Sequence, residues 1–188
     1  CVPGIFIGVN VPGMYYLQSE ANMTPTATGM LMLPWSVASF LAITATGRYF
    51  NHIGPRPLVV IGCLLQAVGI LLLINVGPAM LLPAVAFALM GAGGSLCSST
   101  AQSSAFLTTR REDMPDASAL WNLNRQLSFF AGTLPLAQAL SFMQAYFTPL
   151  AAWHGMFIFA AVITLLPVLY VYRLNNTQLL AQLQQEQP

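Results

Sequence analysis

Arg125 poses the sharpest chemical question in this sequence. It stands eight positions after Ala117 in ASALWNLNRQLSFFAG, residues 117–132, a stretch otherwise free of charge, and the next acidic side chain downstream is Glu186. A guanidinium stays ionised wherever a protein puts it, so inside an apolar segment it must find something to do. Its long side chain can curl back to a polar surface, or toward Glu112, Asp113 and Asp116 in the preceding segment. It can donate to carbonyls at loop or helix ends, or it can bind an anionic group. The residue types leave all three open. Elsewhere chemistry-bearing side chains are sparse. His52 and His154 stand apart, and Cys1, Cys63 and Cys97 are odd in number, two of them inside apolar segments where cysteine acts as a small hydrophobe. No Gly-rich phosphate loop, no Ser/His/Asp set and no His/Cys cluster at ligand spacing is present. The expectation is a protein that is not an enzyme, with no catalytic residue, no cofactor and no metal.

The solvent for these residues follows from composition. Of 188 residues, 56% are hydrophobic and only 6% charged, against roughly a quarter charged in soluble domains. The charges are Arg48, Arg56, Arg110, Arg111, Arg125 and Arg173 against Glu20, Glu112, Asp113, Asp116 and Glu186, with no lysine. That pattern describes a membrane protein, with lipid as its partner. It contains no basic stripe that could follow a nucleic acid.

Charges are costly at the bilayer centre, so the uncharged runs between them delimit the crossings. Residues 57–109 hold no charge, and this run is long enough to cross twice, with Asn75, Gly77 and Pro78 as the turn between. The same reasoning gives helices at about 2–18, 27–47, 57–76, 79–106, 117–142 and 151–173. Strands are disfavoured because the runs lack period-two alternation and exceed a barrel strand. The predicted fold class is all-α, a polytopic membrane protein of six transmembrane helices. Prolines and glycines inside the spans are tolerated where neighbouring helices satisfy the freed backbone groups. The loops after the second and fourth helices and the C-terminal flank hold five arginines, the other loops none. Both ends are therefore expected on the cytoplasmic side of the plasma (inner) membrane. The glutamine-rich residues 174–188 form a separate polar tail.

Three stretches lend this architecture a family resemblance. TGRYFNHIGPRP, residues 46–57, places Gly47, Asn51, His52, Gly54 and Arg56 where the signature loop of the major facilitator superfamily has glycine, an acid, basic residues and a second glycine. Here the acid is an amide and the first basic residue a histidine. YYLQSEANMTPTATGMLMLP, residues 15–34, resembles a segment of the EmrB/QacA-type drug and proton antiporters through Tyr16, Leu17, Gln18, Thr24, Pro25, Gly29, Leu33 and Pro34. MPDASALWNLNRQLSFFAG resembles the same group's eleventh helix, except that Ser128, Phe129 and Phe130 stand where that group is glycine-rich, which weakens the expectation of close helix packing there.

The resemblance implies that residues 1–173 are the C-terminal six-helix bundle of a twelve- or fourteen-span transporter, its partner being the N-terminal half missing from this sequence. It further implies efflux of a small lipophilic or cationic compound coupled to proton import by alternating access, with Arg125 as an intramembrane gate. A metabolite carrier of the same superfamily and a non-transporting scaffold or sensor are the alternatives. Asn10, Tyr15, Tyr16, Trp35, Gln126, Phe129, Phe130 and Gln138 are candidates to line a substrate cavity. The Gly- and Ser-rich fourth helix, from Gly91 to Ser104, reads first as a packing surface and second as a surface for rocking. No Asp or Glu falls inside a predicted span, so a coupling acid is expected outside this segment.

Overall fold

The structure, a computed structural model, describes residues 2–20, 22–75, 80–107 and 109–171. The predicted tail, Arg173 and the turn residues Gly77 and Pro78 lie outside them. All regular structure among the described residues is helical: α1 (Val2–Ser19), α2 (Pro25–Met30), α3 (Met32–Ile53), α4 (Pro55–Leu72), α5 (Leu81–Phe106), α6 (Met114–Tyr146) and α7 (Pro149–Val171), with 3-10 turns at Leu73–Asn75 and Arg111–Asp113. The fold is all-α, as expected.

Two spans depart most from their predicted bounds, for identifiable reasons. The second, expected as one helix over 27–47, is split at Leu31 into α2 and α3 and runs on to Ile53. Pro34 has no N–H to offer Met30, four residues back, and its ring crowds that carbonyl. The helix therefore breaks where Met30 ends α2. The fifth, expected over 117–142, begins three residues earlier and reaches Tyr146. Pro115 sits within the first turn of α6, where its missing N–H is harmless, and Asp116 there faces the positive end of the helix dipole. Asp116 thus lies inside the helix, and Asp113 holds the cap position without a side-chain bond.

Contacts fix the helix directions. Gly4 lies against Ser128 and Gly132, and Gly8 against Thr133 and Leu136, so α1 and α6 run parallel. Gly91 meets Trp35 while Ser99 bonds Thr46, so α3 and α5 also run parallel. Gly62 faces Cys97 and Gly69 faces Ala86, which makes α4 and α5 antiparallel. A Cβ on Gly62 would stand 2.6 Å from Cys97 Sγ and 2.8 Å from the Gly93 carbonyl, so only small residues permit this crossing. The core between α1, α4, α5 and α7 holds Leu17, Ile70, Phe87, Met90, Met156 and Phe157, all essentially inaccessible.

These directions bring the end of α3 with Arg48, the start of α4 with Arg56, and the chain after α5 with Arg110 and Arg111 to one end of the bundle. We expect single cysteines introduced at Asn51 and at Arg111 to resist a membrane-impermeant maleimide in intact cells, and both to label once the membrane is opened. Labelling of one but not the other in intact cells would remove the shared-end topology.

Four helical stretches are long and apolar enough to cross a membrane: Pro25–Ile53, Pro55–Asn75, Leu81–Phe106 and Pro149–Val171. The two long helices outside that group, α1 and α6, are the ones that pack on each other. The chain is a polytopic membrane protein.

Candidate functional site

Along α5, Gly94, Ser95, Ser98, Ser99 and Gln102 recur at intervals of three and four residues and so share one face. That face forms one wall of a cavity of about 290 Å³. Arg125 and Phe129, one turn apart on α6, Ile7 of α1 and Ile43 of α3 complete the lining. Gly94 has no side chain to fill the space, and three serines offer hydroxyls that can donate or accept.

The polar groups are unevenly engaged. Ser99 Oγ donates to Thr46 Oγ1 at 2.7 Å, and Thr46 in turn donates to the Ala42 carbonyl at 3.0 Å, which ties α5 to α3. Ser95, Ser98 and Gln102 have no hydrogen-bond partner among the described residues. Arg125 Nη2 donates to Asn122 Oδ1 at 3.0 Å, a bond within its own helix. No carboxylate lines the cavity among the described residues. Asp116, the nearest acid earlier in α6, lies nine residues back, roughly 13 Å along the axis.

The length of α6 sets the depth of this charge. Its 33 residues span roughly 50 Å, which exceeds a hydrocarbon core of about 30 Å. Arg125 lies roughly 16 Å from the helix start, between the helix tip and its midpoint. Arg125 thus lines the cavity at a modest depth along α6.

The other expected site residues lie elsewhere. Tyr16 is buried with its ring 5.6 Å from that of Trp153 and 5.2 Å from that of Phe157, and Tyr15 lies 6.0 Å from Trp153. These rings tie the end of α1 to the start of α7. Trp35 is half-buried, with its carbonyl against Gly91. Asn10 is half-buried one turn beyond Ile7, and Gln126, Phe130 and Gln138 are exposed, all outside the cavity lining. Of the aromatic and amide candidates, Phe129 alone joins Arg125 there. The α5 serines were legible only as small residues, and their three-and-four spacing was the available signal.

The stretch expected as a loop around the glycine motif is largely helix. Gly47, Asn51 and His52 are exposed residues of α3, and a Cβ on Gly47 would meet nothing within 4 Å. The turn is made by Gly54 alone, at φ 82° and ψ 169°, a backbone state open essentially to glycine. Pro55 then starts α4 at once, which leaves Arg56 half-buried in its first turn.

Residues 3–187 match the Major Facilitator Superfamily, and the chain belongs to that family. It is 31% identical over 132 residues to the lincomycin resistance protein LmrB of Listeria monocytogenes, covering 69% of this chain and 27% of that protein. It is 32% identical, with the same coverage, to LmrB of Bacillus subtilis. To the multidrug resistance protein Stp of Mycobacterium tuberculosis it is 27% identical over 127 residues, covering 67% of this chain and 24% of Stp. The chain thus spans about a quarter of the length of these curated relatives. No solved structure matches it significantly.

Proposed function

We propose that the segment is the C-terminal six-helix half of a plasma-membrane exporter that moves small lipophilic compounds outward by rocking against an N-terminal six-helix partner. Both ends of the segment face the cytoplasm in this reading. The carrying observation is the placement of the polar groups: four helices suited to lipid, and a mainly apolar cavity into which α5 brings serines and α6 brings Arg125. Alternating access needs such a wall between bundle halves, where a solute can be wetted on one side and held on the other. The resistance functions named for LmrB and Stp support an exporter over other uses of the fold.

Energy input in this reading comes from protons taken up by an acid in the other half, because no Asp or Glu lies in the four apolar spans. The full transporter that carries this segment is tested in cells loaded with a lipophilic dye. Efflux is expected to run several-fold faster than in cells lacking it, and to collapse when a protonophore abolishes the gradient. Dye retention identical to the empty strain would remove the exporter reading, and efflux indifferent to the protonophore would remove the coupling.

A further inference from the structure

We infer that the α5–α6 cavity is an anion subsite: it recognises a carboxylate, phosphate or sulfonate group on the compound that enters it. This rests on the exporter reading and adds the sign of the charge that the site accepts.

The lining carries one fixed positive charge and three hydroxyls, with no acid among the described residues to neutralise it. The bond from Arg125 to Asn122 occupies one guanidinium nitrogen and leaves the other donors of the fork uncommitted within the cavity. Ser95 and Ser98 line the same cavity with hydroxyls that are likewise unbonded among the described residues. A planar fork that shares a cavity with hydroxyl donors matches an oxyanion, whose several lone pairs can accept from several donors at once. A cation placed there would meet the guanidinium in a medium of reduced dielectric and would be repelled. Phe129, Ile7 and Ile43 supply apolar contact for the rest of the molecule. The volume, about 290 Å³, is at the small end of ligand sites, so this half receives the anionic end of a larger compound. The same chemistry is offered by a soluble amphiphilic anion and by an anionic lipid headgroup, and the test separates them.

The full transporter is purified and placed in nanodiscs of phosphatidylcholine alone or with phosphatidylglycerol. Fluorescence anisotropy follows fluorescein, an anion, and rhodamine 123, a cation built on the same xanthene core. Fluorescein is expected to bind the wild type more tightly than rhodamine 123. Arg125→Gln should weaken fluorescein about tenfold or more, as loss of a charge-assisted bond does, and leave rhodamine 123 unchanged or tighter. Arg125→Lys should fall between the wild type and Arg125→Gln, because the charge survives but the planar fork is lost. Arg125-dependent competition by phosphatidylglycerol supports the subsite and assigns it to lipid, while fluorescein binding alike in both discs supports it and assigns it to the solute. Equal weakening of both dyes, undiminished fluorescein binding in Arg125→Gln, or no anion preference in the wild type overturns the inference. Dye efflux in cells is scored separately, so an exporter without anion preference sinks only this inference, and anion binding without efflux sinks only the exporter.

Discussion

Gly132→Leu is expected to prevent α6 from docking on α1 and to leave little folded transporter in the membrane. A Cβ at Gly132 would fall on the backbone of Gly4 and 2.5 Å from Ile5 N, and a Cβ at Gly4 would fall on the Ser128 carbonyl. Gly8 continues the contact one turn on, with Thr133 Cα at 3.1 Å from its would-be Cβ. The obstacles are main-chain atoms, which cannot rotate aside, so the helices themselves must separate. Overpacking against yielding side chains already costs about 1–3 kcal/mol, and backbone against backbone exceeds that range. Helix association in lipid draws on close packing more than on apolar burial, so lost contact along this crossing is not recovered by solvent. Fluorescence-detected gel filtration after a heating series measures the effect. Ala131→Leu, one position away and exposed, is the control and should elute like wild type. Equal behaviour of the two variants would mean that the α1–α6 crossing is not the close contact described.

This crossing also shows what the sequence could and could not convey. The positions after Arg125 and Gln126 lack the glycines expected there, and from the α6 strand of sequence alone, close packing looked compromised. The structure keeps the packing because Gly4 and Gly8 come from α1, more than a hundred residues away. Which helix supplies the small residue is a property of tertiary arrangement, invisible to local pattern. The four apolar spans were legible because charges are sparse in stretches that meet lipid. The break at Leu31 was available in Pro34 but hidden by the continuous apolar run.

The α5 serines illustrate the same limit at the site. Gly91 and Gly93 do pack, against Trp35 and against Gln66, as small residues in lipid ordinarily do. Gly94, Ser95, Ser98 and Ser99, interleaved with them, face the cavity instead. One composition serves two faces of one helix, and only the positions of α3, α4 and α6 decide which residue serves which. The motif from Gly47 to Arg56 was legible as a turn because Gly54 and Pro55 mark it, whereas its length was overestimated, since one glycine at positive φ suffices.

Arg125→Ala should lower transport by an order of magnitude or more while membrane abundance changes little. The fold places few demands on this side chain: it is exposed within the segment, and its hydrogen bond goes to Asn122 on the same helix face. Pairs of that spacing stabilise a helix by about 0.2–0.5 kcal/mol, too little to affect assembly. Transport makes a different demand. In the proposed cycle the guanidinium is the fixed charge of the wall between bundle halves, either holding a solute's anionic group or bonding the partner half as the path closes. Either role is lost with the charge, and both depend on the cavity that Arg125 shares with the α5 serines. Efflux rate normalised to protein in the membrane is the quantity to compare, with Arg125→Lys expected to recover a substantial part of it. If abundance and efflux fall together in Arg125→Ala, the residue serves only to anchor α6 near the membrane surface, and the role assigned to it on the cavity wall is withdrawn.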